Sequence, residues 1–201
     1  MDNLTQKHVE FWFDFGSPAS YLAWFQLPKT AASRGAAIDW RPMLLGGVFQ
    51  ATSNRSPVEI PSKGKWMHGD LPRWAGRYGA PYKRNPHFPI NTLTLMRGAV
   101  GLQMREPGKF LNYVDAIYRA MWDEALDLGN PTLFAETLAK AGFEVMEFTA
   151  MVSDPAVKQK LIANTEEAVQ RGVFGAPTIF VGEQMFFGQD RLEFVKEALA
   201  S

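Results

Sequence analysis

The 201-residue sequence contains no cysteine. This absence excludes disulfide bonds, thiolate ligands for a metal ion and a cysteine nucleophile that belongs to the chain itself. Any thiol chemistry performed by this protein must therefore use a thiol that arrives with a ligand.

Histidine is scarce as well, with three residues in the whole chain. His8, His68 and His87 are far apart, and no carboxylate stands at ligand spacing from any of them, so we predict no metal site. We expect each histidine to be a surface or capping residue. The sequence also lacks a Gly-x-Ser-x-Gly elbow, which argues against Ser17 as an acyl-transfer nucleophile.

An excess of either charge is absent too, since 21 lysine and arginine residues balance 21 aspartate and glutamate residues. We therefore predict no basic field for a nucleic acid, and a small specific ligand is favoured instead. No segment approaches the roughly 20 apolar residues of a spanning helix, and the N-terminal MDNLTQKHVE has no apolar signal core. We accordingly predict no membrane partner and a cytoplasmic location.

The hydrophobic pattern predicts strands at both ends of the chain and helices between them. The run VEFWFDF and the segment AIDWRPMLL predict two strands, and YLAWFQL between them predicts a helix. The two strands should be parallel, because a crossover connects them. The clearest helix of the middle is 110–122, and further helices are predicted in NTLTLMRGAVGLQM, PTLFAETLAKAG and DPAVKQKLIANTEEAVQRG. The C-terminal APTIFVG and QMFFG predict strands, followed by a helix from about Gln189 to Leu199.

Residues 46–64, GGVFQATSNRSPVEIPSKG, are punctuated by glycine and proline. A segment of this length is too long for a passive connector in a compact domain, which indicates either a binding loop or disorder. Its aromatic and aliphatic side chains favour an ordered loop.

Ser17 stands between an aromatic strand and a predicted helix that begins with Pro18. One interpretation is a simple N-cap, because serine caps helices and proline at the first helical position loses no hydrogen bond. The other is an anion site, because a helix N-terminus carries unpaired N–H groups and a partial positive charge that hold an anion such as a thiolate. These residues alone leave both interpretations open.

Ala176 and Pro177 precede the predicted strand APTIFVG. The proline is explained either as a first-strand or edge residue, or as part of a cis peptide that turns the Ala176 N–H and C=O outward toward a peptide ligand. On the second interpretation, we expect the Ala176 backbone to lie beside Ser17.

Several motifs occur in order along nearly the whole chain: FDFGSPASYLA, LGGVFQATSN, IPSKG, RYGAPY, NTEEAVQRGVFGAPTIFVG and FFGQDRL. Together they resemble the 2-hydroxychromene-2-carboxylate isomerases and their kappa-class glutathione transferase relatives. The resemblance implies an α/β fold, in which a thioredoxin-like β-α-β / β-β-α domain is interrupted by an inserted all-helical domain like that of the periplasmic disulfide oxidoreductases. On this basis, 1–64 and 173–201 form the thioredoxin-like domain, and 65–172 form the inserted helical domain with its connecting helix.

The resemblance also implies glutathione as the cofactor. Ser17 matches the catalytic serine that hydrogen-bonds the glutathione thiol, at the position where thioredoxins keep a cysteine. Ala176, with Pro177, matches the site whose backbone pairs with the cysteinyl unit. The remaining matches reach other parts of the tripeptide and are Asn54, Lys63, Gln189 and Asp190.

The charges of Lys63 and Asp190 suit this ligand, because glutathione has a carboxylate at each end and an ammonium at one. Taken singly, Lys63 is equally well explained as a solvated loop residue and Asp190 as a cap of the last helix. Only the whole set of matches favours binding.

The activity implied by the resemblance is the interconversion of 2-hydroxychromene-2-carboxylate and trans-o-hydroxybenzylidenepyruvate, or of a related polycyclic aromatic catabolite. The resemblance also implies a homodimer. A kappa-like transferase or peroxidase and a non-catalytic thioredoxin-like binding module are the alternatives. We expect the small aromatic acid to lie in a cleft between the two domains. Tryptophan and methionine side chains are predicted to line that cleft or the core, namely Trp66, Met67, Trp74, Met96 and Trp122.

Overall fold

The structure is a computed structural model that describes residues 6–200. These residues contain a sheet of order β2-β1-β3-β4, formed by β1 (His8–Phe13), β2 (Ala37–Pro42), β3 (Thr178–Val181) and β4 (Gln184–Phe187). β1 and β2 run parallel, which confirms the prediction from the crossover, and β3 is antiparallel to both β1 and β4. Strands from the two ends of the chain therefore pair at the centre of the sheet.

Helices form most of the remaining described chain. In order they are α1 (Pro18–Ala32), α2 (Leu45–Thr52), α3 (Pro61–Tyr78), α4 (Leu93–Arg105), α5 (Pro107–Trp122), α6 (Pro131–Lys140), α7 (Val145–Ser153), α8 (Pro155–Gln170) and α9 (Leu192–Ala198). Proline takes the first position of α1, α3, α5, α6 and α8, where its missing N–H leaves no intrahelical hydrogen bond unmade. The helix predicted from Gln189 begins instead as a 3₁₀ turn (Gln189–Arg191), and α9 follows it.

The segment 46–64 is only partly the loop that its glycines and prolines predict. α2 occupies its first part, and α3 begins at Pro61. Gly47 lies inside α2 and forms no turn. A Cβ added to it would meet the Thr165 side chain of α8 at 3.0 Å. This glycine therefore allows α2 to pack closely against α8, and the prediction of a continuous loop is wrong here.

Helices cover both faces of the sheet, which explains why β1 is apolar on both sides. Phe11 and Phe13 belong to the main core, which they share with buried side chains of α1 and α5. Trp12 belongs to a second cluster, with Val48 of α2 and Ala168 of α8. α2 and α8 thus lie against the sheet face opposite the main core.

The aromatic and sulfur side chains predicted for the core or the cleft have different positions. Met96 and Trp122 are buried in the main core, and the Trp122 indole N–H donates to the Phe15 carbonyl oxygen at 2.8 Å. Trp66 is 62% exposed, so the expectation of a core position is wrong for this residue. Met67 and Trp74 pack partly buried against the main core.

The limits of the two predicted domains, at residues 64/65 and 172/173, stay a prediction. The first limit lies inside α3, and the second lies just beyond α8. α3 continues through the first limit without a break in its helical assignment.

Gly98 supplies a test of packing between α4 and its neighbours. A Cβ at this position would lie 2.4 Å from both the Phe148 ring and the Tyr113 hydroxyl oxygen. We predict that Gly98→Ala lowers the free energy of unfolding by about 1–3 kcal/mol, because the overpacking outweighs the better helix propensity of alanine. Urea denaturation measures this change.

Gly76→Ala is the matched control, because Gly76 lies inside α3 and no atom stands within 4 Å of an added Cβ. This substitution should raise the free energy of unfolding by about 0.4–1 kcal/mol. An equal stabilisation by both substitutions would contradict the packing described for α4.

Candidate functional site

Ser17 lies at the N-cap of α1. Its side-chain oxygen accepts a hydrogen bond from the Ser20 N–H at 3.1 Å, and Pro18 follows at the first helical position. The first turn of α1 contains no acidic residue that would neutralise the partial positive charge of the helix end. The cap interpretation is thus confirmed, and the helix end keeps the potential that an anion site needs.

The Ser17 hydroxyl also reaches the loop before β3. Its Oγ–H donates to the Ala176 carbonyl oxygen at 2.8 Å, across 159 residues of sequence. The Ala176–Pro177 peptide bond is cis, as predicted. The structure therefore confirms that the Ala176 backbone lies beside Ser17.

Gln189 and Asp190 are brought to the same loop by Gly188. The Gly188 N–H donates to the Pro177 carbonyl oxygen at 3.0 Å. Gly188 has a φ of +107°, and a Cβ at this position would lie 2.6 Å from Asp190 Oδ1, so only glycine fits comfortably. The half-buried Asp190 therefore lies two residues after Gly188, which contacts Pro177 directly.

Tyr78 fixes the same turn from the end of α3. Its hydroxyl donates to the Gln189 carbonyl oxygen at 2.5 Å. Burial, with the nearby negative charge of Asp190, raises the pKa of Tyr78 to about 12. The phenol therefore remains a neutral hydrogen-bond donor at ordinary pH.

Asn54 joins the end of α2 to the chain before Ala176. Its amide nitrogen donates to the Phe174 carbonyl oxygen at 2.8 Å, and its amide oxygen accepts from the Arg55 N–H at 2.9 Å. Both functional atoms of the side chain thus already have protein partners. In this arrangement Asn54 positions the 174–177 loop.

Lys63 is exposed in the first turn of α3. Within residues 6–200, its ammonium makes no hydrogen bond or ion pair with another side chain or carbonyl group. Hydrogen bonds therefore join the Ser17 turn, the 174–177 loop, the Gly188 turn and the end of α2. The predicted residues on these segments are Ser17, Ala176, Pro177, Gln189, Asp190 and Asn54. Lys63 is not joined to them by a hydrogen bond.

Asp14 is a residue of this region that the sequence interpretation missed. Its carboxylate is buried and accepts hydrogen bonds from the Gly16 N–H and the Leu45 N–H, both at 2.8 Å. Burial raises the pKa of Asp14, while the hydrogen bonds from Leu45, Gly16 and the Thr92 side chain oppose the rise. A lone carboxylate inside the aromatic run FWFDFG is the signal that could have identified it.

Metal ligation finds no support in the part of the chain that is described. Residues 6–200 contain no cluster of three or more histidine, cysteine, aspartate or glutamate side chains arranged to hold a metal ion. His8 instead contacts Asp39 at 3.1 Å, and His87 lies 3.9 Å from Asp127.

Among the described helices, none is both long enough and apolar enough to cross a membrane.

The chemistry available at Ser17 suits a peptide that carries a thiol. The helix end offers positive potential and the serine offers a hydroxyl donor, and both favour a thiolate over a thiol. The adjacent Ala176 carbonyl group can accept an N–H from a peptide ligand once the serine hydroxyl turns away from it. The residues present therefore fit a small peptide thiol such as the one the motifs imply.

The fold defines the class of protein first. A sheet of mixed β-α-β and β-β-α units, interrupted by helices and carrying a cis-proline beside the N-terminus of α1, is a thioredoxin-like architecture. The model of the DSBA-like thioredoxin domain family matches residues 8–200. The predicted fold class is thereby confirmed.

Comparison with individual proteins narrows the class. The chain is 33% identical over 195 residues to a 2-hydroxychromene-2-carboxylate isomerase from Sphingobium xenophagum, covering 96% of this chain and 98% of that protein. A solved structure of a 2-hydroxychromene-2-carboxylate isomerase superposes with a TM-score of 0.85 at 31% identity, covering 96% of this chain and 94% of that one. Glutathione S-transferase kappa 2 from Caenorhabditis elegans is 31% identical over 212 residues, covering 97% of this chain and 92% of that protein. The chain belongs to the 2-hydroxychromene-2-carboxylate isomerase family, as its motifs predicted.

The raised pKa of Asp14 generates a prediction about pH and stability. Because the folded protein holds the Asp14 proton more tightly than the unfolded chain, the stability gained from that proton is complete below the unfolded pKa near 4 and is lost as pH rises through the folded pKa. We predict that the stability advantage of the wild type over Asp14→Asn is largest at acid pH and narrows as pH rises through this window. Urea denaturation of both proteins at a series of pH values measures it.

The variant should also be less stable than the wild type throughout, because the amide nitrogen of asparagine cannot accept a hydrogen bond from Gly16 or Leu45. A difference between the two proteins that does not change with pH would contradict the raised pKa of Asp14.

Proposed function

We propose that this protein is a glutathione-dependent isomerase that interconverts 2-hydroxychromene-2-carboxylate and trans-o-hydroxybenzylidenepyruvate, or a closely related polycyclic aromatic catabolite. The observation that carries the proposal is the position of Ser17, at the N-terminus of α1, whose first turn contains no acidic residue, with its Oγ 2.8 Å from the Ala176 carbonyl oxygen. The chain contains no cysteine, so a thiol at this position belongs to a ligand. The isomerases among its relatives support the choice of reaction.

When bound beside Ser17, glutathione would supply a nucleophilic thiolate, whose reversible addition to the conjugated side chain of the substrate would allow the isomerisation without net consumption of the cofactor. Ser17 stabilises the sulfur anion by turning its hydroxyl from the Ala176 carbonyl oxygen to the sulfur atom. The Ala176 carbonyl group, freed from Ser17, accepts the N–H of the cysteinyl unit. The N-terminus of α1 adds its partial positive charge to the stabilisation of the thiolate.

The ends of the tripeptide are assigned by charge. Lys63 pairs with a carboxylate, and Asp190 pairs with the ammonium of the γ-glutamyl unit, beside Gln189. Asn54 contributes by holding the 174–177 loop through its bond to the Phe174 carbonyl oxygen. A homodimer and a cytoplasmic location stay predictions that accompany this proposal.

A kappa-like transferase or peroxidase is the second candidate, favoured by the similarity to a kappa-class transferase. It would use the same Ser17 and the same cofactor, but would release a conjugate or oxidised glutathione. Glutathione binding alone therefore does not separate the two candidates, whereas the fate of glutathione during turnover does.

The test combines a glutathione titration with a substrate panel. We predict that glutathione binds and raises the melting temperature, because a ligand that binds only the folded state stabilises it by RT ln(1 + [L]/Kd). The aromatic acid should isomerise only when glutathione is present, and the amount of glutathione should not fall. Calorimetry, thermal melting and chromatography of the products measure the three quantities.

Lys63→Met and Lys65→Met form a matched pair for this titration, because both lysines are exposed in the same turn of α3. The first substitution should weaken glutathione binding, and the second should leave it unchanged. Consumption of glutathione would favour the transferase, and the absence of any heat or stabilisation at millimolar glutathione would exclude both enzyme candidates.

Ser17→Ala tests the serine itself. We predict that the pKa of the bound thiol rises by about one to two units, because the variant loses one charge-assisted hydrogen bond worth roughly 1.5–3 kcal/mol and keeps the helix end. Activity near neutral pH should fall with the thiolate fraction and should recover partly at higher pH. The ultraviolet absorbance of the thiolate during a pH titration of the complex measures the pKa.

Asn130→Ala is the control for loss of a helix cap. Asn130 caps α6 by accepting from the Thr132 N–H at 2.9 Å, so its loss should cost a similar stability of about 1 kcal/mol. It should leave the pKa of the bound thiol unchanged. If Ser17→Ala has the wild-type thiol pKa and the wild-type rate, then Ser17 is a helix cap only.

A further inference from the structure

A cavity of about 530 Å³ lies between α2, α4 and α8. Its walls are mostly apolar and include Leu44, Leu93, Leu161, Ile162 and Val169. Small-molecule sites in proteins have volumes of about 300–1,000 Å³ and combine apolar walls with a few polar groups. The cavity is therefore large enough for a bicyclic aromatic molecule.

One end of the cavity is adjacent to the Ser17 turn. Leu44 directly precedes Leu45, whose N–H binds the Asp14 carboxylate. Leu93 directly follows Thr92, and a Cβ added to Gly16 would lie 3.3 Å from the Thr92 methyl carbon. Since Gly16 precedes Ser17, the two leucines place this end of the cavity next to the proposed thiol site.

Arg97 lines the cavity one helical turn after Leu93. Residues four apart on a helix lie on the same face about 6 Å from each other, so Arg97 and Leu93 line neighbouring parts of the cavity. Its Nε atom is buried and has no hydrogen-bond partner in the described structure. Among the ion pairs within residues 6–200, none includes Arg97.

A buried guanidinium N–H without a partner is unfavourable, and a carboxylate is the acceptor that guanidinium binds best. Lys158 also lines the cavity and adds a second positive charge, while Glu166 adds one negative charge. The polar part of the lining therefore suits one carboxylate at Arg97 and disfavours a second one near Glu166.

We infer that this cavity binds the aromatic acid, with the carboxylate at Arg97 and the conjugated side chain at the end formed by Leu44 and Leu93. This assignment rests on the proposed function in one respect, namely that the isomerisation takes place beside Ser17. It makes Arg97 the residue that selects aromatic monocarboxylates over uncharged aromatic compounds of the same size.

The test uses 1-naphthoate and its uncharged counterpart 1-naphthylmethanol as probes, titrated into the full-length protein without glutathione. The wild type should bind 1-naphthoate more tightly than 1-naphthylmethanol by about tenfold or more. Arg97→Gln should remove this preference while keeping the affinity for 1-naphthylmethanol, and Arg97→Lys should restore part of it. Arg73→Gln is the control, because Arg73 is an exposed arginine of α3 that does not line the cavity.

A separate measurement distinguishes this inference from the proposed function. Arg97→Gln should bind glutathione with the wild-type Kd, while the KM for the aromatic acid rises. Failure of glutathione to bind the wild type would contradict the proposed function and leave the naphthoate result standing. Equal affinity of the wild type for the two probes, or an unchanged preference in Arg97→Gln, overturns the assignment of Arg97. If Arg97→Gln does not fold, then the two-probe comparison on the wild type and Arg97→Lys decides the question.

Discussion

The buried carboxylate of Asp14 is the interaction on which the site depends. It accepts hydrogen bonds from the Gly16 N–H and from the Leu45 N–H, both at 2.8 Å. A carboxylate removed from water is tolerated only where such donors replace the lost solvent, so the two donors must stay together in the folded protein. Asp14 thereby fixes the Ser17 turn and the start of α2 relative to each other. The proposed thiol site and the cavity at Arg97 share this single anchor.

The parts of the site that the sequence predicts are those with local signals. A serine before a first-turn proline indicates a helix end whatever the rest of the chain does, and Ala176–Pro177 before an apolar strand indicates a special peptide bond. The structure confirms both. Their proximity was predicted as well, from the interpretation that a peptide ligand pairs with the Ala176 backbone, whereas the direct hydrogen bond between them at 2.8 Å was not.

The parts that the sequence does not predict depend on contacts between distant residues. Asn54 appears in the motifs as a ligand residue, yet its amide nitrogen binds the Phe174 carbonyl oxygen, 120 residues away. Gly46 and Gly47 indicate a loop, yet Gly47 serves the close packing of α2 against Thr165. Arg97 looks like an ordinary helix charge until the structure shows that its Nε atom is buried without a partner. Burial and hydrogen-bond partners arise only in the folded chain, which is why the packing at Gly47 and the burial at Arg97 were missed. The role of Asn54 as a ligand residue stays a prediction.

The central strand pair of the sheet has a consequence for how the protein is made. β1 pairs with β3 through Glu10 and Phe180, so the middle of the sheet joins residues separated by most of the chain. During synthesis, which proceeds from the N-terminus, one edge of the aromatic strand β1 has no partner until β3 has emerged from the ribosome. An unpaired apolar strand edge favours aggregation, so the nascent chain is most prone to aggregate at this stage. Ser17 meets Ala176 only when that stage ends, because Ala176 lies directly before β3, two residues from its start.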